Sequence, residues 1–240
     1  MRLAVFSDIH ANLPALLSVL GDMEKAGVDA AVCLGDLVGY APFPNEVIEE
    51  IRKRKIPTVM GNYDQGVGFD LEDCGCAYPT EEEKALGRVS LSWTREVVSP
   101  EHKHFLRGLL PRYELTEGVF HFLFVHGSPR RINEYLFPDR PDESFLHMME
   151  KEKANVLICG HTHIPFLRRI GELLVVNDGS VGRPKDGDWR AAWALFEVGE
   201  ELKVHFRRCE YDLSFLKGAY KRSSLPEKFL KDLYPRHTGA

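Results

Sequence analysis

The sequence predicts an α/β fold in which a largely parallel sheet packs against a second, partly antiparallel one. Three observations carry this. Residues 1–65 alternate short apolar runs with amphipathic stretches, the signature of βαβ units, whose strands pair in parallel. From residue 113 onward the strand-like runs come in close pairs joined by short turns. Five apolar runs also end directly in motifs that supply carboxylate, imidazole or amide, as happens where strands deliver functional groups to the rim of a sheet.

Taken in order, the chain opens with a strand over 2–7. Asn12 can cap the helix that follows, on which Leu13, Leu16, Leu17 and Leu20 share one face. A strand over 30–34 leads through Gly39 and Pro42 to a helix at 44–54 with Pro44 in its first turn. The basic run 52–55 ends that helix, where cations complement the dipole. A third strand over 57–60 closes the unit. Residues 66–112 begin with Gly66, Gly68 and an acidic stretch, then predict two helices. One starts at a capping box of Thr80 and Glu83, the other at Ser99-Pro100. This segment is expected to form a helical cap. Segments 113–116 and 119–125 pair, 166–170 and 173–177 form a hairpin around Gly171-Glu172, and 191–198 and 203–208 form another around Gly199-Glu200. All are expected in the second sheet. Residues 212–236, with Pro226 and Pro235, predict a helical tail, and residues 1–240 together a single domain.

The strand-end motifs carry the chemistry. Asp8-Ile9-His10 follows LAVFS, Gly35-Asp36 follows AAVCL, and Gly61-Asn62 follows PTVM. His126-Gly127 follows FLFV, and Gly160-His161-Thr162-His163 follows NVLIC. In extended chain, residues i and i+2 point the same way, so Asp8 with His10, and His161 with His163, are expected each to aim two ligands at one place. Carboxylate with imidazole suits Mn, Fe, Co, Ni or Zn better than Ca or Mg. The donors are too many for one ion and suit two. One carboxylate can bridge ions about 3.5–4 Å apart, and Asp36 is the candidate.

These motifs in this order, D-x-H, G-D-x-x-G (35–39), G-N-x-D (61–64), H-G and G-H-x-H, resemble the calcineurin-like metallophosphoesterases. Gly39-Tyr40, Pro44-Asn45-Glu46, His126-Gly127-Ser128-Pro129-Arg130 and Asn177-Asp178-Gly179-Ser180-Val181-Gly182 extend the likeness to a bacterial and archaeal subgroup of small phosphoesterases. The resemblance implies a four-layer sandwich of two mixed β-sheets flanked by helices. It also implies two divalent transition-metal ions, Mn favoured. Asp8, His10 and His163 would hold one ion, Asn62, His126 and His161 the other, with Asp36 bridging. The reaction implied is hydrolysis of a phosphoester by in-line attack of a hydroxide held between the metals. Arg130 is the candidate phosphate clamp, through bidentate hydrogen bonds; an exposed loop arginine is the alternative.

Two positions depart from the family pattern. Many members carry His where this chain has Tyr63, and that His is thought to protonate the leaving group, steadied by the next residue, here Asp64. A tyrosine with a reference pKa near 10 is a poorer acid, and a lost general acid costs about 100- to 10,000-fold on poor leaving groups. A preference for phosphodiesters or activated esters follows. Asp178 stands where the subgroup usually shows proline; a turn role is open to it, and it is left unassigned.

Bulk properties narrow the partners. A net charge of −5 and the lack of a basic track disfavour long nucleic acid. No apolar stretch has the length to span a bilayer, and no signal-like segment precedes the first strand, so a cytoplasmic address is the default. An odd count of five cysteines gives no disulfide framework. Cys33 and Cys159 suit buried strand positions, while Cys74-Gly75-Cys76 is either a loop with incidental thiols or a metal or redox pair. The substrate is therefore expected to be a small-molecule phosphoester, and a homo-oligomer is possible. Alternatives are a phosphomonoesterase or dinucleoside-polyphosphate hydrolase and, in a different class, a non-catalytic scaffold on the same fold. The full ligand set disfavours the scaffold.

Overall fold

Strand β1 (Arg2–Phe6) sets the layering. Leu3 and Val5 enter one apolar cluster, Ala4 and Phe6 another, because successive strand side chains alternate between faces. The computed structural model describes residues 1–233; the end of the tail expected over 212–236, with Pro235, and His237 lie outside the described residues.

After β1 come α1 (Leu13–Lys25), β2 (Ala30–Cys33), α2 (Pro44–Arg54) and α3 (Asn62–Gly68). The segment 66–112 supplies α4 (Glu81–Val97) and α5 (Pro100–Arg107). Then follow β3 (Tyr113–Glu117), β4 (Phe120–Phe124), α6 (Asp142–Met149), β5 (Val156–Cys159), β6 (Phe166–Ile170) and β7 (Leu173–Asn177). The described chain closes with β8 (Ala191–Val198), β9 (Leu202–Cys209), α7 (Leu213–Arg222) and α8 (Glu227–Lys231).

The strands form two mixed sheets, ordered β2-β1-β8-β9 and β3-β4-β5-β7-β6. Leu3, Val5, Phe122, Phe124, Ile158, Val176 and Phe196 fill the space between them. Helices α1 and α2 cover the outer face of the first sheet, and Phe145, Met148 and Met149 of α6 cover that of the second. The result is the expected four-layer sandwich. The caps form as expected: Asn12 accepts from the Ala15 amide, Thr80 and Glu83 make a reciprocal box, and Ser99 accepts from His102.

Several expectations need correction. The hairpin of β8 and β9 joins the first sheet, β8 pairing antiparallel with β1, so this sheet is mixed. Strand β8 is apolar on both faces: Ala194 and Phe196 point between the sheets, Trp193 and Leu195 towards the helices. Only a strand inside the sandwich satisfies both faces. The segment 57–60 makes single bridges to Cys33 and Leu110 but no ladder, being short and opening on Pro57, which has no N–H to give. On α1 the buried face is Ala15, Leu16, Val19, Leu20 and Met23, and Leu17 is 45% exposed. Helices α3 and α6 were not expected. The two glycines of NYDQGVG hide a helix held by its Asp64 cap, and α6 is a short segment recognisable mainly by the core contacts of Phe145 and Met148.

Candidate metal centre

Strands β1, β2 and β5 stop just short of their motifs, and the chain then turns through left-handed backbone. The φ angles are 51° at Asp8, 48° at His10, 51° at Asp36, 65° at His161 and 62° at His163. Each such residue without a Gly costs about 1–2 kcal/mol, and the surrounding hydrogen bonds hold the strain in place. Asp8 N donates to Gly35 O (2.9 Å), His10 N to Asp36 O (2.9 Å) and Gly182 N to Asp8 O (2.9 Å). Gly35, at φ 91°, lies so close to Gly61 that a Cβ would enter its amide nitrogen, and a Cβ on Gly61 would enter Asp36. The two motifs thus meet backbone to backbone.

This geometry gathers two buried triads, Asp8, His10, His163 and Asp36, His126, His161, each with donor atoms within 4.8 Å of one another. The expectation that i and i+2 would share a target fails for His161 and His163. Their left-handed backbone sends them to different triads, as the family resemblance implies.

In the first triad, His163 Nε2 lies 3.2 Å from Asp8 Oδ1 and 3.2 Å from His10 Nε2. In the second, His126 Nε2 lies 3.2 Å from His161 Nδ1 and 3.5 Å from Asp36 Oδ2. Asn62 Oδ1 faces the same His126 Nε2 at 3.0 Å. Asp36 Oδ2 also approaches His10 Nε2 at 3.7 Å, so it stands between the groups, while Asp36 Oδ1 accepts from the Tyr63 amide at 2.8 Å.

The protons explain why these atoms converge. His10, His126 and His163 each turn Nδ1 to a backbone carbonyl: Val38 (3.1 Å), Leu34 (2.8 Å) and Arg183 (2.6 Å). A carbonyl only accepts, so Nδ1 carries the hydrogen and Nε2 points inward as a lone pair. Asp8 Oδ1 is buried with no hydrogen-bond donor. In the first triad the inward lone pairs of His10 and His163 and the Asp8 Oδ1 atom meet with no hydrogen between them, which is electrostatically incomplete. The nitrogen and carboxylate donor set fits a pair of divalent transition ions.

Electrostatics agree. Burial holds His10 and His161 well below the usual imidazole pKa, and His126 and His163 below it, so all four stay neutral. Burial, then repulsion from Asp8 and Asp64, pushes Asp36 well above the carboxylate range. For Asp8 burial works upward too, and only positive charge facing it, at the position of the imidazoles with His163 foremost, draws its carboxyl low, a role that neutral imidazoles leave to cations. Cations in the site would favour ionisation of both carboxyls.

Asp64 sits behind the site. Its oxygens accept from the Leu37 (2.9 Å) and Gly61 (3.0 Å) amides, tying the two motifs together, and burial lifts its pKa to about 6. Tyr63 packs its ring edge-on to His10 at 5.4 Å and against Tyr40 at 4.9 Å, with its hydroxyl 3.4 Å from that of Tyr78. Burial drives its pKa well above the ordinary tyrosine value. Asp178 is more than a turn residue: it is fully buried, accepts from Ser7 Oγ at 3.1 Å, and burial raises its pKa strongly.

Arg130 is a correction. Its guanidinium is paired with Glu134 and lies outside the pocket that opens on the triads. The sequence placed it beside His126, but the turn after His126 directs it sideways onto a carboxylate four residues away. The pocket, about 440 Å³, takes its positive charge from Arg183, Lys185 and Lys228, and its aromatic wall includes Tyr40, Tyr63, Tyr78 and Tyr135. Arg183 and Lys185 directly follow the Asn177-to-Gly182 motif, the one sequence signal that pointed to them. Arg183 lies 4.0 Å over the Tyr40 ring and pairs with Asp232, whereas Lys185 is exposed and has no ion-pair partner among the described residues.

Comparison with known proteins decides the family. Residues 1–201 match the calcineurin-like phosphoesterase superfamily domain. The chain belongs to the calcineurin-like phosphoesterase superfamily. With both triads in place it is a metal-dependent phosphoric ester hydrolase of that superfamily. An uncharacterized protein of Methanocaldococcus jannaschii is 35% identical, covering 99% of this chain and 95% of its own. A metallophosphoesterase of Sphaerobacter thermophilus superposes with a TM-score of 0.78 at 30% identity over 98% of both chains. Phosphodiesterase YfcE of Escherichia coli is 26% identical over 78% of this chain and 83% of its own. No helix among the described residues is long and apolar enough to cross a membrane.

Proposed function

We propose that the protein is a phosphodiesterase for a small or nucleotide-like phosphoester, using two divalent transition ions, Mn favoured. Asp8, His10 and His163 would hold one ion and Asn62, His126 and His161 the other, with Asp36 shared between them. When bound, the ions neutralise phosphoryl oxygens and make water acidic enough to supply the nucleophile near neutral pH.

The observation that carries the diester reading is Tyr63. The position at which the family resemblance implies a proton donor holds a buried phenol whose proton is held more tightly than in water. Such a group donates a hydrogen bond but is a poor acid at pH 7. Hydrolysis then favours esters whose leaving group departs without protonation. The phosphodiesterase named among the relatives supports the same reading.

The other residues position. The carbonyls of Val38, Leu34 and Arg183 orient the imidazoles. The Lys185 ammonium, next to His163 in the pocket wall and without an ion-pair partner among the described residues, meets a phosphoryl oxygen, and Arg183 adds charge beside it. Arg130 has no part in this. Cytoplasmic location stays an expectation, and a homo-oligomer through a sheet edge or the helical tail stays open.

The test is hydrolysis of bis-p-nitrophenyl phosphate against p-nitrophenyl phosphate by metal-stripped protein reloaded with Mn, Ni, Co, Zn or Mg. The diester is expected to turn over faster with at least one transition ion. Faster turnover of the monoester with every metal contradicts the diester reading.

A further inference from the structure

We infer that Cys74 and Cys76 are a peroxide-sensitive dithiol that controls metal binding through Asn62. The Cys74-Gly75-Cys76 turn lies between α3 and α4, directly against the metal centre. Gly75 has φ 71°, and a side chain on it would collide with the Asn133 amide that donates to its carbonyl at 2.9 Å. This tight turn brings the two sulfurs to 3.2 Å.

The same turn sets the orientation of Asn62. Asn62 Nδ2 donates to the Cys74 carbonyl at 3.1 Å and to Cys76 Sγ at 3.1 Å. With both amide hydrogens held there, Oδ1 faces inward, 3.0 Å from His126 Nε2. Cys76 is therefore an outer partner of a candidate metal ligand. It is also half-buried and lines the pocket, while Cys74 is buried behind it. The remaining cysteines, Cys33, Cys159 and Cys209, are free and buried.

A peroxide entering the pocket reaches the dithiol where Cys76 lines the wall. One sulfur of the pair attacks a peroxide oxygen, the O–O bond breaks, the thiol proton leaves with the departing oxygen, and a sulfenic acid and water form. The other sulfur then displaces the hydroxyl, giving a disulfide and a second water. Two thiols and one peroxide thus give one disulfide and two waters, with both electrons passing to the peroxide. A disulfide needs its sulfurs about 2.05 Å apart. Closing from 3.2 Å draws Cys76 Sγ towards Cys74 and away from Asn62 Nδ2. Loss of such an outer partner typically weakens metal binding by about 10- to 100-fold.

This control acts through Asn62 and so rests on the metal-centre reading, which makes separate readouts necessary. Reduced, Mn-loaded protein is treated with hydrogen peroxide, and its peptides are mapped by mass while Mn affinity is titrated before and after. The expected result is a Cys74–Cys76 link, marked by loss of two hydrogens, with one ion of the pair bound about 10- to 100-fold more weakly. Dithiothreitol should restore both. In Cys76→Ser, Mn affinity should be the same before and after peroxide, whatever its starting value. Free thiols after peroxide treatment, or a link formed with both ions bound as tightly as before, overturns the proposal. If the reduced protein binds no metal, the metal-centre reading fails and the control falls with it, even where the link forms.

Discussion

Asn62 Oδ1 and His126 Nε2 face each other at 3.0 Å with no hydrogen between them. The imidazole hydrogen of His126 is given to the Leu34 carbonyl, and both amide hydrogens of Asn62 go to Cys74 and Cys76. Two acceptors held this close in a buried site are stable only around a cation. Replacing His126 by Ala is expected to lower the metal stoichiometry from two ions to one and to weaken binding at that site beyond the roughly 100-fold seen for outer partners. Metal analysis after dialysis of the folded variant checks this; two tightly held ions would contradict it.

The positive wall of the pocket separates two loops. Lys185→Ala removes an ammonium with no ion-pair partner among the described residues, and an interaction with a charged group contributes about 1.5–3 kcal/mol, so kcat/KM should fall roughly 10- to 100-fold. Arg130→Ala should leave kcat/KM within about twofold, because its guanidinium serves Glu134. Steady-state kinetics on one diester distinguishes the two residues.

Tyr63 is expected to act by packing and not by proton donation. Tyr63→Phe should therefore preserve turnover of activated aryl diesters within about twofold, since general acids contribute about 100-fold or more only where they transfer a proton. Tyr63→His should raise turnover selectively on esters with poor leaving groups. A uniform loss across leaving groups would assign Tyr63 another role.

How much of this was visible in the sequence varies by residue. The ligands were visible because each follows an apolar run, and strand ends are where such a sheet presents its chemistry. Their backbone was not: strand periodicity ends at Phe6 and Cys159, and left-handed φ angles at Asp8, His10, His161 and His163 leave no mark in hydrophobicity. For Arg130 the structure favours the exposed loop arginine over the clamp, because nearness in sequence to His126 says nothing of direction across a tight turn. Arg183 and Lys185 reach the site through tertiary contacts with His163, which no local pattern encodes. The mixed first sheet escaped notice for the same reason, since β1 and β8 pair across almost the whole chain.

The neutral imidazoles give a pH dependence with a definite sign. In metal-free protein, burial keeps His10 well below 6.5, so below that pH the unfolded chain binds a proton the folded protein refuses. This contribution lowers stability as pH falls from 6.5 towards the folded-state pKa, by at most about 1.4 kcal/mol per pH unit for one group. Asp64, lifted to about 6, works oppositely, adding stability as pH falls through 6 towards 3.8. Comparing denaturation of wild type and His10→Asn between pH 6.5 and 5.5 isolates the histidine, since Asp64 is common to both. The wild-type slope should be steeper; equal slopes would contradict the burial argument.

The backbone contact between Gly35 and Gly61 should be the least tolerant feature of the site. Gly35→Ala adds a methyl at φ 91° against the Gly61 amide and the Val59 carbonyl. A loss of stability of about 3 kcal/mol or more, in the upper tail for point substitutions, is expected. Thermal or urea denaturation of the metal-free variant measures it, and a loss under about 1 kcal/mol would mean the two motifs can part at little cost.

The most direct test of the dinuclear account is a titration of metal-stripped protein with Mn while bis-p-nitrophenyl phosphate hydrolysis is followed in the same sample. Activity should appear as the second ion per chain binds, and Asp36→Asn, which weakens the shared ligand, should stay inactive over the range that saturates the wild type. Full activity at one ion per chain, or undiminished activity in Asp36→Asn, would contradict a mechanism that depends on both triads.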